Sequence, residues 1–176
     1  LIGNGKPEAG GDKLDIVVDG FEVDSDFYPE LESIDRIQQV DARVVAEAAS
    51  SLKTDGPDLS WVYLQHTDDI GHRFGDGDRM DEAVIWIDRQ LGHLWAAVRA
   101  RETEHPDEDW LVIVTTDHGR DVEAGRDHGG HTERERTIWI ATNSDNLAPA
   151  FYATPAIVDI YPTIADHMDL RLPDAI

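Results

Sequence analysis

The chain contains no cysteine, which excludes disulfides and thiolate chemistry and leaves the redox compartment open. Lysine is almost missing too: Lys6, Lys13 and Lys53 are the whole supply. With 15 basic against 37 acidic residues the formal net charge is −22. A chain with no positive footprint lacks what a nucleic-acid surface or an anionic lipid surface requires. No apolar run approaches the ~20 residues of a membrane span, and no signal-peptide pattern opens the chain. The compartment stays undecided, with a secreted or periplasmic protein compatible with further sequence upstream. Internal repeats and low-complexity tracts are also absent.

What is present is enough for a core. Apolar residues make up 40% of 176 residues, which fits one domain or a large piece of one. Acidic residues occur in every region rather than in one tail. Self-repulsion that keeps molecules apart is one reading. Adaptation to high salt, where screening removes that repulsion, is the preferred one.

Residues 1–12 are Gly-rich and read as loop, and Leu14 to Val18 reads as a short strand before the turn at Asp19-Gly20. Ile37, Val40, Val44, Val45, Ala48 and Leu52 form a helical stripe that ends at Asp55-Gly56-Pro57. Leu59 to Leu64 reads as a buried strand, and His66 to Gly77 as the loop behind it. Met80 to Val98 repeats the helical spacing. Trp110 to Val114 and Thr137 to Ala141 read as further buried strands, separated by a polar, Gly-rich loop over Thr116 to His131. Pro155 to His167 reads as a last helix, with Pro162 a start, kink or break. Continuous apolar strands alternating with amphipathic helices predict an α/β fold with a largely parallel sheet covered on both faces. Sites in such sheets gather beyond the carboxyl ends of the strands.

Five of the eight histidines fall in the two loops that follow predicted strands. The first loop holds His66-Thr67-Asp68-Asp69-Ile70-Gly71-His72, the second Thr116-Asp117-His118-Gly119 and Asp127-His128-Gly129-Gly130-His131. Carboxylate oxygen and imidazole nitrogen are the donors that suit zinc, manganese or iron. Asp68 and His72 are four apart, with a glycine that would let a turn fold both onto one centre. Asp117 and His118 are adjacent, so both can be ligands only where a strand ends and the backbone turns, a freedom expected from Gly119. Asp69 and Asp76 read as loop solvation, Thr116 and Arg120 as strand-end polar groups, and His93, His105 and His167 as packed or solvated helix residues.

These motifs together resemble the alkaline phosphatase superfamily, and most closely its type I phosphodiesterase/nucleotide pyrophosphatase branch. The residues that carry the resemblance are Tyr63 to Gly75, Val114 to Gly119, His128-Gly129-Gly130 with Arg134 to Ile140, and Asp159 to Thr163. The resemblance implies a two-metal hydrolase of phosphoric esters on a three-layer α/β/α fold with a largely parallel central sheet. It implies Asp68, His72 and a histidine of the third motif on one divalent metal, and Asp117 with His118 on the other. That third-motif histidine is His128, which precedes a glycine as in the phosphodiesterase branch, or His131, which precedes a threonine as in the mutases and phosphatases. His128 is preferred because Gly129-Gly130 permits close backbone approach. Zinc is the expected metal and manganese the alternative, and a small phosphoester is the expected partner.

The resemblance also implies that residues 1–33 are a partly looped N-terminal segment and 34–176 the C-terminal part of a single hydrolase domain. The family's first metal-binding aspartate and its Ser or Thr nucleophile precede the matched portion by a long stretch. Fewer than 50 residues separate Asp19 from Asp68, too few for that segment. The nucleophile is therefore expected outside this chain, with the missing N-terminal part of the domain as a partner, and Asp15 and Asp19 are ordinary acidic residues. A phosphomutase of the same superfamily and a catalytically silent metal-binding module are the alternatives.

Overall fold

The computed structural model of the protein describes residues 33–172. The predicted loop at 1–12 and the predicted strand at Leu14–Val18 lie outside them. The described chain is mixed and helix-rich, and divides into two compact units. One runs to Glu108 and includes Ala124–Arg126; the other is Asp109–Glu123 together with the chain from Asp127 onward.

The first unit is built on three helices, α1 (Ser33–Thr54), α2 (His66–Phe74) and α3 (Asp78–Glu104). The stripe read along α1 is its buried face: Ile37, Val40, Val44, Val45, Ala48 and Leu52 are all buried. Val40, Val44 and Ala48 form the centre of the core, with Val62, Leu64 and Leu94 packed on it. Each fully buried side chain of this size contributes on the order of 1.5–3 kcal/mol. α1 ends at Gly56, whose φ of +57° is the left-handed conformation that glycine adopts at no steric cost. Arg101 near the end of α3 makes a two-pronged ion pair with Glu108, Nε to Oε2 at 2.8 Å and Nη2 to Oε1 at 2.5 Å. Its Nη1 also donates to the Lys53 carbonyl at 3.3 Å, which ties the end of α3 to the end of α1.

Two expectations change in this unit. Leu59–Leu64 is not covered on both faces. Val62 and Leu64 turn toward the core, while Leu59, Trp61 and Tyr63 are 58%, 69% and 41% exposed. The predicted strand is not formed: Ser60 interrupts the run, Val62 makes only a single bridge, and burial is one-sided. The expected loop at His66–Gly77 is instead mostly helix α2, because Ile70 and His66 are buried on one side of it.

The second unit holds β1 (Ile113–Thr115), a one-turn helix α4 (Glu133–Arg136), β2 (Ile140–Thr142) and α5 (Ile160–His167). β1 and β2 pair antiparallel, Val114 opposite Ala141. The Asn143 side chain prolongs the ladder by accepting the Val112 N–H at 2.7 Å and donating to the Trp110 carbonyl at 2.7 Å. Both predicted strands are present in shortened form, but the largely parallel sheet is not what the described residues show. A parallel pair needs a long crossover, usually a full helix, and the chain between β1 and β2 carries only the four residues of α4. Pro162 sits in the first turn of α5, where its missing N–H leaves no helical bond unmade.

Candidate metal centre

Asp68 and His72 lie one turn apart on α2, His72 Nε2 at 3.5 Å from Asp68 Oδ2. Helical i,i+4 spacing brings the two together, not a glycine turn. The first turn of α2 is acidic, with Asp68 and Asp69, where negative charge is favoured by the exposed N–H groups. Burial pushes the Asp69 carboxyl above its ordinary range.

The helix start is held from elsewhere in the same unit. Gln65, the residue at the cap position, makes no capping bond with its own side chain. Asp41 of α1 takes that place. Its Oδ2 accepts the N–H of Gln65 at 2.9 Å and of His66 at 2.8 Å, and its Oδ1 accepts Gln65 N–H at 3.1 Å. Asp41 is fully buried, and desolvation pushes its carboxyl from 3.8 to about 7 although the two N–H groups pull the other way. His66 is also buried, edge-on to Trp86 at 5.2 Å, and burial lowers its pKa. At the other end, Asp76 N–H donates to the Ala124 carbonyl at 3.1 Å. Gly75 is required there, since a Cβ would run into that carbonyl.

In the second unit, β1 ends at Thr115 and the backbone bends at Asp117. His118 Nε2 lies 3.5 Å from Asp117 Oδ1. His118 Nδ1 lies 2.9 Å from the Gly119 carbonyl. A carbonyl only accepts, so Nδ1 carries a proton, and this is the backbone bond an imidazole commonly makes when its other nitrogen holds a metal. The His118 and His128 rings stack with centroids 3.7 Å apart and planes 17° from parallel. The alternative ligand His131 instead lines an open depression of about 400 Å³ with Glu133, Arg136 and Thr137.

Three features place these rings. Asp121 knots the loop: its carboxylate accepts the N–H groups of Glu123 and Asp127, each at 2.8 Å, and its own N–H donates to the Asp127 carbonyl at 2.8 Å. A capping box at α4 fastens the third motif. The Glu135 carboxylate accepts Gly130 N–H at 2.9 Å and Thr132 N–H at 3.1 Å, and the Thr132 hydroxyl holds the carboxyl below its usual range. Gly119 has a role other than the expected conformational freedom. Its φ is not positive, its N–H donates to the Glu135 carbonyl at 2.8 Å, and a Cβ would strike the Arg134 carbonyl oxygen.

The family profile of the type I phosphodiesterases and nucleotide pyrophosphatases matches residues 13–166, most of the chain. The protein belongs to this family. Among curated proteins it is similar to 2,3-bisphosphoglycerate-independent phosphoglycerate mutases. It is 28% identical to that of Rhodopseudomonas palustris over 132 residues, 72% of this chain and 24% of that protein. It is 24% identical to that of Natronomonas pharaonis over 160 residues, 83% of this chain and 28% of that protein. The chain therefore spans about a quarter of the length of these relatives. No solved structure matches. The stretch shared with the family encloses Asp68, His72, Asp117, His118, His128 and His131. No helix among the described residues is long and apolar enough to cross a membrane.

Asp41 and Asp121 escape a search for metal-ligating motifs. Asp41 had a signal: it is a charged residue inside the apolar stripe, four after Ile37 and four before Val45, where an acid is rarely buried without a partner. Asp121 had none, because an aspartate in a polar loop looks the same whether or not it folds back on its own backbone.

Proposed function

We propose that this chain is part of a metal-dependent enzyme acting on phosphoric esters, a hydrolase of the phosphodiesterase/pyrophosphatase kind. Asp68, His72 and His128 are the ligands of one divalent cation in this reading, and Asp117 and His118 of the other. The observation that carries it is the donor chemistry at the second signature: an Asp117–His118 pair at a strand end, with Nδ1 tied to a backbone carbonyl and the ring stacked on His128. Family membership supports the pairing of that signature with Asp68 and His72. Divalent cations held there would supply the positive charge that offsets the charge building on phosphoryl oxygens. Imidazole nitrogen and carboxylate oxygen make up the donor set, and zinc or manganese fits that set equally.

Residues 34–176 form the C-terminal part of one three-layer α/β/α domain in this proposal, and the attacking hydroxyl comes from outside the chain. The second reading, a phosphomutase, is favoured by the curated relatives, which are all mutases by name. Elemental analysis of the purified chain, alone and as His72→Ala and Asp117→Ala, tests the ligands: bound zinc or manganese should fall in each variant, and none above background in the wild type would defeat the assignment. Assays with p-nitrophenyl phosphate and bis-p-nitrophenyl phosphate test the chemistry. Strong turnover by these 176 residues alone would contradict a nucleophile supplied from elsewhere.

A further inference from the structure

We propose that Asp41 is a positioning residue for the metal-binding helix: reaching across from α1, its buried carboxylate replaces the N-terminal cap that α2 lacks and fixes how Asp68 and His72 are presented. This rests on the reading of Asp68 and His72 as ligands.

The case begins with the helix itself. α2 has nine residues, shorter than the length at which a helix is stable alone in water, so its direction depends on what holds its ends. Its first N–H groups have no acceptor on their own helix, and Gln65 supplies none from its side chain. Asp41 meets two of those N–H groups with both oxygens at 2.8–3.1 Å, from a position 24 and 25 residues away in sequence. The burial of His66 against Trp86 pins the same peptide from its side-chain end. Asp68 follows the clamped peptide by two residues and His72 by six, on one rigid helix. A shift at the cap is therefore carried to both donors, and metal donors must be placed within a few tenths of an ångström. A fully buried carboxylate in an apolar stripe is costly to the fold, which is accounted for if its value lies in orienting α2.

The test uses the full chain stripped of metal, with zinc affinity measured by competition against a chromophoric chelator. Asp41→Leu keeps the buried volume and removes the acceptor; Asp41→Asn keeps one acceptor oxygen. Val44→Ala, elsewhere on the buried face of α1, reports what a loss of core packing alone does. Zinc binding should weaken about tenfold or more in Asp41→Leu, the range found when a group supporting a ligand is lost. It should recover most of that in Asp41→Asn and stay unchanged in folded Val44→Ala. A folded Asp41→Leu chain with wild-type zinc affinity overturns the proposal. Where that variant does not fold, amide hydrogen exchange in the wild type decides: the Gln65 and His66 amides should be among the slowest of the α2 region, and fast exchange there overturns the clamp. If the wild type binds no zinc, the ligand reading has failed, and the same two amides still report separately on Asp41.

Discussion

At the scale of single residues, two positions carry consequences that their residue type does not announce. Gly119 sits against the backbone of α4, so adding a methyl group forces the second and third motifs apart. Gly119→Ala should destabilise the second unit by about 1–3 kcal/mol, the usual cost of overpacking, and separate the His118 and His128 rings. Denaturant unfolding measures the first, and the imidazole NMR shifts of those two rings the second; an unchanged midpoint would contradict the close approach. Asp41 gives a pH signature. Its folded pKa of about 7 lies above the ordinary 3.8, chiefly through burial, with the nearby Asp69 charge adding in the same direction. Between those values the folded chain holds a proton that the unfolded chain has released. The group's contribution to stability therefore falls as pH rises from about 4 to 7, and is flat above. Asp41→Asn removes that dependence, so its stability relative to the wild type should rise with pH across the window. Urea unfolding at pH 5, 6 and 7.5 checks this, and parallel pH profiles for the two chains would refute it.

At the scale of elements, legibility follows from where the information lies. The buried face of α1 is written in its own spacing, and Val40, Val44 and Ala48 are where the periodicity puts them. The strand segments at 110–114 and 137–141 are apolar and β-branched, and each overlaps an observed strand by two residues, the pairing running one residue further to Thr115 and Thr142. Their relative direction is set by the length of regular structure between them, which periodicity does not encode. α2 was illegible because its start is capped by a carboxylate from α1, a long-range bond invisible to local capping rules. The closeness of Asp68 and His72 was legible even so, since the two share a face whether the backbone turns or winds. The loop of the second signature depends on Asp121, which holds its own backbone two and six residues further on. Asp121→Ala removes two backbone acceptor contacts and should cost about 1–2 kcal/mol, and lower zinc affinity by displacing His128. Calorimetric unfolding and chelator competition would show it; loss of stability with unchanged zinc affinity would confine Asp121 to the fold.

At the scale of the whole molecule, the charge of −22 dominates. Raising salt from about 0.1 M to 1 M shortens the screening length from ~10 Å to ~3 Å, so the thermal midpoint should climb steadily with NaCl in the absence of metal. A midpoint indifferent to salt would remove the argument for a halophilic surface. The same charge shapes the central claim. Acidic donors gathered at 68 and 117 in an already negative chain gain most from a bound cation, so metal should act as a strong stabiliser. The most direct measurement is calorimetric titration of zinc, and then manganese, into the chelator-stripped chain, with Asp68→Ala and Asp117→Ala alongside. The account predicts two equivalents for the wild type, about one for each variant, and a midpoint that rises with metal. Saturation with no heat and no shift, or two equivalents surviving both substitutions, would contradict it.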